Sequence, residues 1–398
     1  MISRKMQSYV AGSSAIRAMF EEGRRMAAVY GPDKVYDFSL GNPNVPAPDA
    51  VREAIVGIVT QEDPVLVHGY MNNSGYEDVR ERLAGELNRR YGTDYRAEHL
   101  MMTVGAAGGL NVILKTILDP GDEVITVTPY FGEYRSYVSN YDGVLVEAAA
   151  DPVTFFPDPE DLGRKLNPRT KALILNSPNN PTGVVYPEPV LRAVAERLEA
   201  AERAFGHPIY LISDEPYREI VYDGAQVPWL PLLYRDTIVG TSYSKSLSLP
   251  GERIGYLVIP PDLADAEEVT AAANVAGRIL GFVNAPSLMQ RVVARCCGEK
   301  ADVAFYDRNR KLLCDALAAD GFTFVKPEGA FYLWIQSPTA DERTFVKDAK
   351  EEERILLVQG RSFGCSGWVR LAYCVSHETV QNALPGFERL AKKYELSR

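Results

Sequence analysis

The stretch ALILNSPNNPTG, residues 172–183, runs an apolar segment, Ala172–Asn176, straight into a rigid Pro/Asn turn. A strand candidate without polar alternation is one covered on both faces, as in a parallel sheet. Working outward, short apolar run, turn and helical stretch recur in that order from about residue 100 to 260. The other runs are Met101–Val104, Glu123–Val127, Val144–Ala148, Ile209–Ser213, Thr237–Thr241 and Ile254–Ile259. Amphipathic segments such as Val190–Ala204 lie between some of them, and Asp119-Pro120-Gly121-Asp122 punctuates one joint. Alternating strand and helix predicts an α/β fold: a large domain with a mostly parallel sheet flanked by helices.

The C-terminal third reads differently. A long helical pattern, Ala301–Ala319, precedes short strand candidates at Phe322–Lys326, Ala330–Ile335, Ile355–Val358 and Trp368–Tyr373, arranged around a charged helical stretch, Asp341–Glu353. This predicts a smaller α+β domain. The expected division is a large domain over 48–295 and a small domain made of 1–47, with an N-terminal arm, and 296–398. A chain of 398 residues exceeds one ordinary core, which agrees with two domains.

Composition narrows the function classes. Apolar residues make up 46% and charged residues 24%, the balance of a globular protein rather than a disordered one. The net charge of −10, with no long Lys/Arg run, argues against nucleic acid or an anionic membrane as partner. An anionic substrate must then be held by a local cationic pocket. The N-terminal MISRKMQSYV has no apolar stretch of a signal peptide, and no segment approaches the length of a membrane span. Five cysteines and four scattered histidines show no metal-ligand spacing, and the expectation is no metal and reduced thiols in the cytoplasm.

Ligands of an open α/β sheet bind at the carboxyl ends of its strands, so the residues following each strand candidate carry the chemistry. Gly105-Ala106-Ala107-Gly108-Gly109 opens a helix after Met101–Val104, where backbone N–H groups and the helix dipole suit a phosphate. A tight ligand-free turn accounts for that segment equally well. Asp214-Glu215-Pro216-Tyr217 follows Ile209–Ser213, and a carboxylate ending an apolar strand needs a cationic or donor partner. Ser242-Tyr243-Ser244-Lys245 follows Thr237–Thr241, with Arg253 eight residues further on. Taken alone, Lys245 reads as an ordinary surface lysine. Together the segments offer a phosphate cradle, a carboxylate, an amine and an arginine at one end of one sheet, the set that pyridoxal phosphate requires.

With SPNNPTG, SDEPY and SxSK-x7-R in this order, the chain resembles the fold-type-I, class I/II aminotransferases of the aspartate aminotransferase superfamily. The likeness runs from Ser13-Ser14-Ala15-Ile16 to Val369-Arg370-Leu371. It implies that Lys245 carries the cofactor as an imine and shuttles the substrate proton, and that Asp214 pairs with the pyridine nitrogen. Asn180 and Tyr217 are implied to bond the cofactor's phenolic oxygen, and Phe131 to stack on its ring. The backbone at Ala106 and Ala107, with Ser242, Ser244 and Arg253, is implied to bind the phosphate. Tyr70, in HGYMNNSG, would reach the phosphate of a neighbouring subunit in a homodimer with composite sites. Arg370 would clamp the substrate α-carboxylate by a planar fork, with Gly41 and Asn180 beside it.

Departures from the family pattern are Glu252 where a bulky apolar residue is common, and a GAAGG helix start without a hydroxyl residue. No residue matches the arginine that reads a second substrate carboxylate; Arg17, Lys115 and Arg278 are candidates by rough location only. The implied activity is ping-pong amino transfer from an L-amino acid, aspartate first and aromatic next, to a 2-oxo acid. The same motifs also suit a carbon–sulfur β-lyase. A ligand-sensing regulator is the third reading, against which stand the acidic charge and the family's arm starting almost at Met1.

Overall fold

The computed structural model describes residues 2–11 and 15–396, and the side chains of residues 11 and 15–18 are outside that description. Ser13 and Ser14 of the arm therefore lie outside the described residues, as does the side chain of Arg17. The arm continues as the helix Ala15–Tyr30. A short strand, β1 (Tyr36–Asp37), and the helices Asp49–Gln61 and Glu77–Tyr91 lead into the main sheet.

Its strands are β2 (Leu100–Thr103), β3 (Glu123–Val127), β4 (Val144–Ala148), β5 (Thr170–Asn176), β6 (Tyr210–Asp214), β7 (Thr237–Ser242) and β8 (Gly255–Val258). They lie side by side in the order β2-β8-β7-β6-β5-β3-β4. All neighbours are parallel except those of β8, which runs against both β2 and β7. Every residue of β3 and β6 is buried, which explains why their sequences lack polar alternation. Helices cover both faces: Gly105–Ile117 and Ala266–Ile279 contribute to one buried cluster, Glu188–Phe205 to the other. The latter helix stops at Gly206, whose φ of 77° is the left-handed cap that a side chain disfavours.

The reversal of β8 has a functional consequence. Five of its six companions bring candidate residues to their carboxyl ends, but β8 brings its amino end there, so Arg253 just before it meets the others. Gly255 begins the strand where a Cβ would run into the Thr241 carbonyl oxygen, so only glycine permits that close approach.

The C-terminal part adds β9 (Phe324–Val325), β10 (Tyr332–Gln336), β11 (Ile355–Leu356), β12 (Val358–Gln359) and β13 (Trp368–Ala372). An antiparallel four-stranded sheet has the order β12-β13-β10-β9, while β11 pairs in parallel with β1. The single strand expected over Ile355–Val358 is thus two strands in different sheets. Pairing with β1 occupies the backbone of Ile355 and Leu356, and the chain changes sheet across the buried Leu357. The strand expected at Phe322–Lys326 shortens to Phe324–Val325, and Val104 caps the following helix instead of extending β2. One buried cluster joins Phe38 and Val45 to Tyr306, Phe331, Leu371 and Phe387, so the N-terminal segment packs with the C-terminal sheet. Among the described residues no helix is long and apolar enough to cross a membrane.

Candidate active site

The carboxyl end of β6 is Asp214, placed between Asn176 of β5 and Gly240 of β7. Its Oδ2 accepts a 2.6 Å hydrogen bond from the Tyr134 hydroxyl, and its Oδ1 has no partner. The partner that the sequence demanded is a phenol and not a cation. Burial pushes the Asp214 carboxyl up to about 7, with the Tyr134 hydrogen bond opposing and the Glu215 charge adding. The Asn176 side-chain amide ties the end of the strand by donating to the Asp214 carbonyl at 2.8 Å.

Lys245 lies in the short helix Tyr243–Ser246 that follows β7. Its Nζ donates to the Gly41 carbonyl at 2.6 Å and stands 5.5 Å from the Phe331 ring centroid. Burial pulls its ammonium down to about 8; the Cys374 thiol opposes this, and Arg253 and Arg370 add to it. Ser242, Ser244 and Arg253 line the same cavity as the helix start at Ala106 and Ala107. Arg253 takes a left-handed backbone (φ 53°) and donates to the Pro250 carbonyl at 2.8 Å and, weakly, to Ser244 Oγ at 3.4 Å. A Cβ on Gly105 would sit 2.7 Å from Arg253 Nη2, so glycine keeps this cradle open.

Another part of the wall comes from the C-terminal four-stranded sheet. Arg370 on β13 is buried, yet carbonyl oxygens alone accept its hydrogen bonds: Nη1 donates to Asn180 Oδ1 at 2.9 Å and Nη2 to the Ser39 carbonyl at 2.6 Å. Its Nε has no partner, and burial lowers its pKa. The guanidinium is sandwiched 4.6 Å from the Tyr332 centroid and 4.8 Å from that of Phe363. Asn180 is fixed in turn, because its backbone N–H donates to Asn176 Oδ1 at 2.7 Å. The Tyr217 hydroxyl lies 2.7 Å from that of Tyr332.

These groups line one cavity of about 250 Å³. Of the residues to which the family resemblance gives a role, it holds Gly41, Ala106, Ala107, Phe131, Asn180, Asp214, Tyr217, Ser242, Ser244, Lys245, Arg253 and Arg370, but not Tyr70. Tyr70 is 94% exposed and lies outside this cavity of its own chain. Lys115 and Arg278 are exposed and also outside it. Phe131 meets Tyr134 edge to face at 5.7 Å. Residues that sequence reasoning missed are Tyr134, Tyr137, Asn176 and Tyr332. Tyr134 had a signal, three residues beyond Phe131 at a helix start; Tyr332 is 115 residues from Tyr217 and had none.

The cavity therefore holds a buried anion without a cation at Asp214 and a buried cation without an anion at Arg370. Leaving either charge uncompensated is costly unless a ligand completes it. The unpaired Oδ1 suits a protonated ring nitrogen, Lys245 an aldehyde, and the glycine-lined Arg253 cradle a phosphate. These residues fit pyridoxal phosphate.

Comparison with known proteins agrees. The family model for aminotransferase class I and II matches residues 33–387. An aspartate/prephenate aminotransferase of Thermus thermophilus is 34% identical over 98% of each chain. An aspartate aminotransferase of Geobacillus stearothermophilus is 31% identical over 94% of this chain and 95% of its own. Among solved structures, an amino transferase of Eubacterium rectale superposes with TM-score 0.96 at 43% identity, covering 99% of both chains. The Thermus thermophilus aspartate aminotransferase with maleate gives 0.86 at 30% identity, over 98% of this chain and 99% of the other.

Proposed function

The chain belongs to the class I and II aminotransferases, and from that premise we propose that it moves the amino group of L-aspartate to a 2-oxo acid by a ping-pong route. The observation that carries the site assignment is the pair of uncompensated buried charges, Asp214 and Arg370, facing one cavity that Lys245 also lines. Pyridoxal phosphate supplies the electrophilic carbon and the electron sink that no protein side chain offers.

The residues divide the remaining work. Asp214 would pair with the protonated ring nitrogen of the bound cofactor, and that cation would keep the carboxylate ionised at neutral pH. Lys245 needs its neutral form to act as nucleophile and base, and a pKa near 8 leaves an appreciable neutral fraction at physiological pH. In that form it would take the proton from the substrate α-carbon. Arg253, Ser242, Ser244 and the backbone at Ala106 and Ala107 would hold the phosphate, and Phe131 would flank the ring. Tyr217 and the amide nitrogen of Asn180 would serve the phenolic oxygen, the Asn180 oxygen being occupied by Arg370. Arg370 presents Nε and its remaining N–H groups to the α-carboxylate, with Gly41 close by because a Cβ there would strike the Tyr332 hydroxyl.

The same reading includes a cytoplasmic homodimer in which Tyr70 contributes to the partner's phosphate site. Its support is an exposed apolar surface, Val65, Leu66 and Tyr70, and free thiols at the five cysteines, which suit a reducing compartment. The division at 48–295 against 1–47 with 296–398 belongs to it too. Aspartate rests on the relatives' names, which also favour amino transfer over β-elimination. Among the described residues the cations lining the cavity are Lys245, Arg253 and Arg370, each already engaged, so a second substrate carboxylate must be read from outside this set.

A single-turnover screen of amino acids, following loss of the cofactor's visible band, tests the substrate. A preference of about tenfold or more for aspartate, equivalent to about 1.4 kcal/mol, is expected. An equal preference for an aromatic or neutral amino acid would replace it, and pyruvate release from cystathionine would restore the lyase.

A further inference from the structure

Tyr332 opens β10 in the small domain, is 2% exposed, and meets Tyr217 of the large domain hydroxyl to hydroxyl at 2.7 Å. Its ring carries the Arg370 guanidinium, and its hydroxyl fills the space that a side chain at Gly41 would need. One phenol thus touches the Arg370 and Gly41 wall and the Tyr217 wall of the cavity together.

Two hydroxyls that share one hydrogen bond leave one proton over. If Tyr217 donates, its own proton is used and the Tyr332 proton is the one left to point into the cavity that both residues line. If Tyr332 donates, its own proton is used and the Tyr217 proton is free to point at a bound ligand. Only the second arrangement leaves Tyr217 a proton for the cofactor's phenolic oxygen, the role it has in the reading above.

We propose that Tyr332 is a positioning residue: its hydroxyl donates to Tyr217 and thereby aims the Tyr217 proton at the phenolic oxygen of the cofactor, while its ring supports Arg370. The inference rests on the reading of Tyr217 and Arg370 given above. Accepting one hydrogen bond strengthens a hydroxyl as donor of the next, so loss of the Tyr332 hydroxyl weakens the hold of Tyr217 on that oxygen. A phenolic oxygen less stabilised as its anion moves the pH midpoint of the visible chromophore upward.

The experiment is a spectrophotometric pH titration of the holoenzyme, its Tyr332→Phe variant, Tyr217→Phe and the double variant. Tyr332→Phe should raise the midpoint by roughly 0.5–1 unit, the size of one neutral hydrogen bond. It should lower kcat several-fold with KM for the amino acid unchanged, because the ring under Arg370 remains. Tyr332→Leu, which removes the ring, should raise KM as well. The double variant should titrate like Tyr217→Phe alone. An unmoved midpoint in Tyr332→Phe, or additive shifts in the double variant, would overturn the proposal while leaving the enzyme assignment intact. Wild-type protein with no pH-dependent visible band would instead remove the reading beneath it.

Discussion

Asp214 and Glu215 are consecutive carboxylates at the end of one strand, and they open onto two different cavities. Asp214 faces the front cavity of about 250 Å³ with one oxygen unpaired. Glu215 faces a larger one behind the sheet, about 410 Å³, where both its oxygens accept from one edge of the Arg218 guanidinium, Nε and Nη2, and it accepts from Ser213 Oγ at 2.6 Å. Arg218 is further satisfied by the Val227 and Pro228 carbonyls and lies over the Tyr91 and Trp229 rings. Glu219, also at the rear, pairs with Arg90. None of the unsatisfied buried polar atoms among the described residues belongs to the rear lining, whereas the front holds both Asp214 Oδ1 and Arg370 Nε. Cavity size does not mark the site here. Unfinished electrostatics does, because a fold stabilises itself by completing its buried pairs, and a binding site must leave them for the ligand to complete.

The contrast can be broken experimentally, most severely at Lys245. Lys245→Ala should lower turnover by about four orders of magnitude or more, since the variant has neither the amine nor the base. Near-normal kcat would end the catalytic assignment. At the rear, Glu215→Gln should cost about 3–5 kcal/mol of stability by leaving the Arg218 charge buried and uncompensated. Turnover per folded molecule should stay close to wild type, and denaturant unfolding paired with active-site titration separates the two effects. A loss of kcat without loss of stability would show that the rear cavity takes part in the chemistry.

At the front, Arg370→Lys should raise KM for the amino acid by roughly 10–100-fold, because an ammonium does not reproduce the planar fork. Wild-type KM would argue that the α-carboxylate binds elsewhere. The smallest effect is the most direct measure of the contrast. In the cofactor-free protein the Asp214 pKa, about 7, lies above the unfolded value near 3.9, so the folded state holds that proton more tightly. Its contribution to stability therefore falls as pH rises from about 4 to about 7. Asn has no such cost. Cofactor-free Asp214→Asn should melt near the wild type around pH 4 and a few degrees above it at pH 8. A pH-independent difference between the two melting curves would show that Asp214 is compensated after all.

The half of the cavity built at the carboxyl ends of the parallel strands was legible in the sequence because each residue follows an apolar run by a fixed few positions. Asn180 trails β5, Asp214 ends β6 and Lys245 trails β7, so strand and turn place them without reference to the rest of the chain. The other half was legible only in part. Gly41 and Arg370 came from resemblance to a family, and Tyr332 and Tyr134 did not come at all, since nothing local to either indicates its partner. The antiparallel course of β8 was likewise invisible, because an apolar run does not carry its direction.

The amino-acid sequence alone determined the α/β layering and the order of the chemical groups along it, for periodicity and turn chemistry are local properties of a chain. Tertiary structure alone decided which charges are left unpaired. That choice depends on the neighbours that packing brings to each buried atom, and it made Asp214 and Arg370 wait for a ligand while Glu215 and Arg218 complete each other.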